Sequence, residues 1–169
     1  KGSHRIYPFW PDNVRLKTTP EEGISGRTVY CGAGEIEGLP AKSLEGQIAV
    51  MEMSSYRNWK TPFSMGAKAL ILLSDGRDEV LLPEEQPIFK PRFYVNDQGL
   101  SDALRKNSIG EITLHADGRW EKQEAENILV LIKGKQDLAA LQPIMVVASY
   151  DAMSLVPQLA PGADNAVDA

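Results

Sequence analysis

The chain has one cysteine, Cys31, and two histidines, His4 and His115. A single thiol forms no internal disulfide. This excludes a disulfide-stapled secreted scaffold and leaves cytosol, periplasm and bacterial exterior open. His4 stands in Gly2-Ser3-His4, which looks like the remnant of an expression tag and is set aside. Long apolar runs are missing too. The longest, Ala69-Leu-Ile-Leu-Leu73 and Ile144-Met-Val-Val-Ala148, have five residues each, against about 20 for a bilayer span. Positive charge is in deficit: 18 Lys and Arg face 23 Asp and Glu, a net charge of −5. A general nucleic-acid binder needs a basic surface to neutralise phosphates, so that class is disfavoured.

What is present is an ordinary globular balance. Of 169 residues, 43% are hydrophobic and 24% charged. That is enough apolar material for a core, in one domain or one domain plus a piece of a second.

Residues 5–26 are rich in proline, glycine and charge, and Tyr7-Pro-Phe-Trp-Pro11 sets aromatics between prolines. The pattern predicts an extended lead-in segment with its rings pinned on a core edge. A short strand is expected over 28–31, broken by Gly32-Ala-Gly34. A turn at Glu45-Gly46 should lead into a buried strand over 48–53, and Pro62-Phe63 suits a short helix within 58–65. Gly66 opens a second buried strand that ends before Asp75-Gly76. Residues 75–90 are acidic and proline-bearing, which predicts a surface loop. A third strand follows over 91–95. Asn96-Asp97 is placed to cap a helix over 99–106, with Leu100, Ala103 and Leu104 on one face. Residues 111–115 alternate like a half-buried strand, and 117–126 read as a linker anchored by Trp120. Two apolar strands are then expected over 127–133 and 144–150, paired antiparallel because the connection is too short for a crossover helix.

Three pieces of 28–116, in order, resemble the protease-associated (PA) domain. Leu44-Glu-Gly-Gln-Ile-Ala-Val50 is similar to that family's leu-x-gly-lys-ile-x-val strand. Gly66-Ala-Lys-Ala-Leu-Ile-Leu-Leu73 is similar to its ala-gly-ala-x-gly-val-ile segment. Pro91-Arg-Phe-Tyr-Val95 with the following helix is similar to its pro-x-x-x-ile strand and leucine-ended helix. The resemblance implies a small open β-barrel with one or two helices. Such domains are non-catalytic lids, substrate filters or interaction surfaces on extracytoplasmic peptidases and receptors.

The remainder resembles the opening of the M28 zinc aminopeptidase domain. Glu126-Asn-Ile-Leu-Val-Leu-Ile-Lys-Gly134 looks like its first strand. Ile144-Met-Val-Val-Ala-Ser-Tyr-Asp151 looks like its second, which ends ala-his-tyr-asp, and Pro161-Gly-Ala-Asp-Asn-Ala166 looks like its pro-gly-ala-asp-asp-asn-ala loop. Active members hold two zinc ions through histidine, aspartate and glutamate. Here Ser149 stands where the first ligand histidine belongs, and a serine hydroxyl is no substitute for imidazole at neutral pH. Asp151 matches the aspartate that orients that histidine, so it has nothing to orient. For the bridging carboxylate, a gapless alignment gives Asn165 and a one-residue deletion gives Asp164. The family's remaining ligands have no match in 1–169. The stretch from Ser149 to Asp164 is also similar to nicalin and nicastrin relatives, membrane-anchored M28-like scaffolds with degenerate ligands.

Other candidates read more simply as structure. Cys31 beside Val29 and Tyr30 suits a small buried hydrophobe. His115 suits a half-exposed strand position, which leaves Ser149 without an obvious base. Glu21-Glu22 and Glu84-Glu85 suit solvated loops rather than a pair spaced across a cleft. Gly32-Ala-Gly34 lacks the further glycine and helix of a phosphate cradle. Trp59 in Tyr56-Arg-Asn-Trp-Lys60 is the best candidate among the tryptophans for a binding loop, since it mixes aromatics and cations on what should be an exposed connection.

The expected fold is thus α+β, mostly β: a lead-in over 1–23, a PA-like open barrel over 24–116, a linker over 117–126, and over 127–169 a hairpin from the edge of an M28-like α/β sheet. The expected function is a non-catalytic protein- or peptide-binding module of an inactive, extracytoplasmic M28-like protein. No cofactor is expected in this chain, though the parent family uses zinc. Asp164 is its one candidate metal ligand, and Tyr56, Arg57 and Trp59 form its candidate binding loop. The partner is expected to be protein or peptide and not nucleic acid, and membrane anchoring could come through segments outside this sequence. Two alternatives stay open. One is a fragment of an active zinc aminopeptidase with the PA-like domain as lid. The other is a stand-alone β domain whose last two strands complete the barrel.

Overall fold

The computed structural model describes residues 2–9, 19–40, 43–76, 90–119, 121, 122, 124, 126–132, 144–148 and 156–159. Its organising elements are two short strands, β3 (Ile48–Glu52) and β4 (Ala69–Leu73), paired parallel from Ile48↔Ala69 to Glu52↔Leu73. Their sequences, IAVME and ALILL, carry no alternation. All of β4 and the first four residues of β3 are buried. A strand of this kind needs cover on both faces, because successive side chains point to opposite sides.

The rest of the sheet supplies that cover. The strand order is β1-β5-β4-β3-β2-β6, with β1 at Tyr7–Pro8, β2 at Ile24–Tyr30, β5 at Arg92–Val95 and β6 at Glu111–Leu114. The four inner strands run parallel, and both edge strands run antiparallel to their neighbours. Ile48, Val50, Ala69, Ile71, Leu73, Phe93 and Val95 form one apolar layer with Leu100 and Leu104 of helix α2 (Gln98–Arg105). On the other face Ala49, Met51, Leu70, Leu72 and Tyr94 meet Phe9, Leu44 and Trp59. Beside Trp59 lies the short helix α1 (Lys60–Ser64), preceded by a 3-10 segment over Met53–Asn58. Val156 is buried in this same layer, and Leu159 packs against it. Each fully buried large aliphatic chain contributes about 1.5–3 kcal/mol, so these layers are the main stabilising term.

The α+β, mostly-β class is what the described residues form, as an open mixed sheet with short helices. The helix expected over 99–106 occupies 98–105 and is capped as anticipated: Asp97 Oδ1 accepts from the Leu100 amide at 2.6 Å. Strand β2 is longer than expected, because it serves two partners. Its first part, Ile24 to Arg27, pairs with β6, and Thr28 to Tyr30 pair with β3. Neither half shows an apolar run of its own, so sequence pattern alone found only the second.

The expected hairpin is corrected by the structure. The described residues 126–132 and 144–148 are in no strand. Their large side chains lie in solvent, with Leu129 93% and Ile144 94% exposed. These segments neither pack on the sheet nor complete it. The physical reason is that both faces of the sheet are already covered, so no apolar layer is left to recruit them.

Gly66 sits at the turn into β4 with φ +96°, where a Cβ would meet the Glu45 side chain and lie 3.1 Å from Glu45 Cα. An L-residue is strained there whatever the space. Gly66→Ala should therefore lower stability by about 2 kcal/mol, read as a shifted urea midpoint with unchanged slope. An unchanged midpoint would show that this turn does not constrain β4.

Candidate functional site

Carboxyl ends of parallel strands are where open sheets usually collect ligands. Here that edge carries a polar cluster. Tyr30 ends β2, Glu52 ends β3, Ser74 follows β4, and Arg105 is the last residue of α2. Arg105 donates to both Glu52 oxygens, from Nε and Nη2, at 2.8 Å each. Nη2 also donates to the Ser74 carbonyl at 3.1 Å, and Nη1 to Asp102 Oδ1 at 3.3 Å. The Tyr30 hydroxyl donates to Glu52 Oε1 at 2.6 Å. The Tyr30 amide donates to Asn107 Oδ1 at 2.9 Å, from a residue with φ +49°.

The electrostatics follow from these contacts. The Arg105 guanidinium holds the Glu52 carboxyl below its usual range, helped by the Tyr30 hydroxyl, while partial burial pulls the other way. Burial first, and then the Glu52 carboxylate, push the Tyr30 phenol up to about 12. The bond to Glu52 raises Arg105 further above its ordinary value. At neutral pH the Arg105 cation is therefore satisfied by the Glu52 carboxylate, with Asp102 at its edge, beside a neutral phenol. The cluster has no group poised to exchange a proton or attack a substrate. What it does is tie the end of α2 to the ends of three strands. Sequence reasoning missed it. The available signals were Glu52, the single charge closing an apolar run, and Arg105, a cation in the last turn of a capped helix.

The opposite face holds the tryptophan singled out from sequence, and there the expectation is corrected. Trp59 is 1% exposed. Its ring meets Phe63 edge-on at 5.9 Å and 79°. The buried Arg92 guanidinium stacks 4.1 Å from the Trp59 centroid and 5.7 Å from that of Phe9. Lys60 Nζ lies 5.8 Å from the Trp59 ring, and Lys90 Nζ lies 5.4 Å from the Phe63 ring. Arg57, two residues before Trp59, is exposed, and the Tyr56 side chain is outside what is described. The loop therefore shows its cations and hides its indole. The ring packs with Met51 and Leu72 while cations cover it, and this offsets the cost of an indole Nε1–H that is buried with no acceptor among the described residues.

The remaining sequence candidates fall as follows. Ser149, Asp151, Asp164 and Asn165 all lie outside the described residues, as do Trp10, Trp120 and Glu84-Glu85. Glu21, Glu22 and His115 are exposed. Gly32 and Gly34 form a turn leading only to the 3-10 segment Ile36–Gly38, not the long helix of a phosphate cradle. Among the described residues no three of His, Cys, Asp and Glu come together as a metal-binding group, and no helix is long and apolar enough to cross a membrane. Cys31 is buried, and burial pushes its thiol up to about 11.

No protein-family model matches the sequence, and no curated protein matches it. Two solved structures are loosely similar. One is an aminopeptidase from Aneurinibacillus sp. strain AM-1, at 20% identity and a TM-score of 0.45, covering 67% of this chain and 30% of that one. The other is BSAP, a zinc aminopeptidase from Bacillus subtilis, at 20% identity and a TM-score of 0.46, covering 66% and 30%. The chain thus spans under a third of the length of either. A likeness this loose assigns no family and no activity.

Two measurements check the site. Glu52→Gln should cost about 1 kcal/mol at pH 7, because it removes the carboxylate that holds the half-buried Arg105 through two bonds and leaves only Asp102 at 3.3 Å. The depressed Glu52 carboxyl stabilises above the ordinary carboxylate range, and that contribution is lost as pH falls through its folded-state value. The gap between wild type and variant should therefore close in acid, as read from melts at pH 7 and pH 3. A gap that widens in acid would refute the clamp. Cys31 should stay unreactive towards Ellman's reagent in the native protein and react after unfolding in urea. Rapid native labelling would contradict its burial.

Proposed function

We propose that this chain is a non-catalytic protein- or peptide-binding module of an M28 peptidase-like extracytoplasmic protein, with the PA-like portion presenting its loop surface to the partner. The observation that carries the reading is Ser149 at the position of the first zinc-ligand histidine. Zinc needs three or more nitrogen, sulfur or carboxylate donors. Around Ser149 the sequence offers Asp151 and either Asp164 or Asn165, and that set does not fit the ion. No step is therefore routed through a metal. The strand-end cluster supports the same reading: its Glu52 and Arg105 are spent on each other, which suits a rigid platform better than a reacting centre.

The two exposed apolar segments, 128–132 and 144–147, support the wider assignment. They match the first two M28-like strands in sequence, and the six-stranded sheet does not cover them. A second sheet or a partner protein would supply their cover.

The test is made on the full gene product, incubated with zinc and then dialysed. Substoichiometric zinc by mass spectrometry and no hydrolysis of leucine p-nitroanilide are expected. Stoichiometric zinc together with hydrolysis would overturn the reading. It would favour the alternative, an active aminopeptidase in which Asp151 and Asp164 serve a reorganised site under a PA-like lid.

A further inference from the structure

Beyond Ala116 one described residue is buried: Val156, at 5% exposure. It belongs to the apolar layer of Phe9, Met51, Leu72, Tyr94 and Trp59, and Leu159 packs against that layer. Residues Pro157–Leu159 form a 3-10 turn, in which the Leu159 amide donates to the Val156 carbonyl at 2.9 Å. Such a turn has three residues per turn, so positions three apart face the same way. Val156 and Leu159 are three apart, and both pack in the one layer. Gln158 lies between them, exposed, and its Oε1 accepts from Arg5 Nη2 at 3.3 Å. The Arg5 guanidinium also lies 5.2 Å from the centre of the Tyr7 ring, in edge strand β1. Two aliphatic anchors and one polar contact therefore seat 156–159 on the sheet, while 128–132 and 144–147 stay in solvent.

We propose that 156–159 is a strap, a separable segment that docks on the Trp59 face and holds the chain beyond the linker against the sheet. The strap bears on the motif read from sequence. Asp164 stands five positions past Leu159, a chain reach of at most about 18 Å. A docked strap therefore keeps the sheet and that stretch of chain together, which makes the sheet a fixed support and not a swinging lid. Separability follows from scale. The sheet and its helices supply the rest of both apolar layers. The strap adds one buried aliphatic side chain and part of another. Segments with few buried contacts open at a lower free energy than the whole domain. A strap of this size opens while β3 and β4 stay closed. The inference goes beyond the binding-module reading, because such a support serves a binding module and an aminopeptidase alike.

Thiol protection in the 169-residue chain tests the strap. Cys31 is buried and supplies the reference for an intact core. Val156→Cys should react with Ellman's reagent at least about tenfold more slowly than Ile144→Cys, since position 144 is 94% exposed. Adding Leu159→Asp to Val156→Cys should release that protection and leave Cys31 protected, with mass spectrometry assigning each label. In a urea series on Val156→Cys alone, the thiol at 156 should become reactive at a lower concentration than Cys31. Equal labelling of Val156→Cys and Ile144→Cys overturns the proposal, because the segment is then undocked. Protection that persists after Leu159→Asp overturns it too, because Leu159 is then no anchor. So does exposure of position 156 and Cys31 together in urea, because the segment is then part of the core. Thermal melts establish that each variant is folded, and the urea series decides if the double variant is not. Zinc content and hydrolysis are read in separate assays, so the strap and the binding-module reading can fail independently.

Discussion

The constraint on which the fold depends is that β3 and β4 have no polar side. Two unbroken runs, the four residues Ile48 to Met51 and the five residues Ala69 to Leu73, are buried. Two parallel strands cannot be joined by a tight hairpin, so the chain must leave the sheet and return. It does so through the 3-10 segment and α1, which cover one face, and α2 covers the other. The edge strands β1 and β6 then close the rows of hydrogen-bonding groups that β5 and β2 would otherwise present. Cover for two apolar faces and partners for two edges are different requirements. Both are met within about 110 residues of sequence, which leaves no apolar layer to spare.

Polar groups are placed according to the same constraint. The strand ends are the first positions where β2, β3 and β4 can tolerate charge, and Tyr30, Glu52 and Arg105 meet there. A bidentate guanidinium–carboxylate pair fixes both distance and orientation. Its value to the fold is the placement of α2 over Ile71 and Phe93 more than net energy, since partly exposed pairs contribute little. On the opposite face the charges are used differently. Arg92 is buried against rings, where π faces replace some of the lost hydration, and Lys60 and Lys90 stay at the surface of the same aromatic group.

The legibility of the sequence follows the same division. The core strands, the capped helix α2 and the turn at Gly66 were readable, because each is specified locally by an apolar run, an Asp97 cap or a glycine. The first half of β2 was not readable, because Ser25-Gly-Arg27 is a strand only through its pairing with β6, more than eighty residues away. Trp59 was misplaced for a related reason. A tryptophan between Arg57 and Lys60 looks exposed in one dimension, and the cation that buries it, Arg92, arrives from β5. The strand-end clamp was missed because its members are scattered from 30 to 105 and only the topology brings them together. Ser149, Asp151, Asp164 and Asn165 lie outside the described residues, so their likeness to a zinc motif is argued from sequence alone.

The apolar segments 128–132 and 144–147 present the converse case. They read as strands by composition, and their side chains are 71–94% exposed. A strand with apolar residues on both sides is stable only inside a sheet that is covered on both sides, as β3 and β4 demonstrate within this chain. The six-stranded sheet cannot accept them: its faces are filled by α1, Trp59 and α2. An apolar run that matches a buried strand in pattern but finds no layer in its own domain is a strand of another sheet or a surface for another chain. Both alternatives place its stabilisation outside the six-stranded sheet.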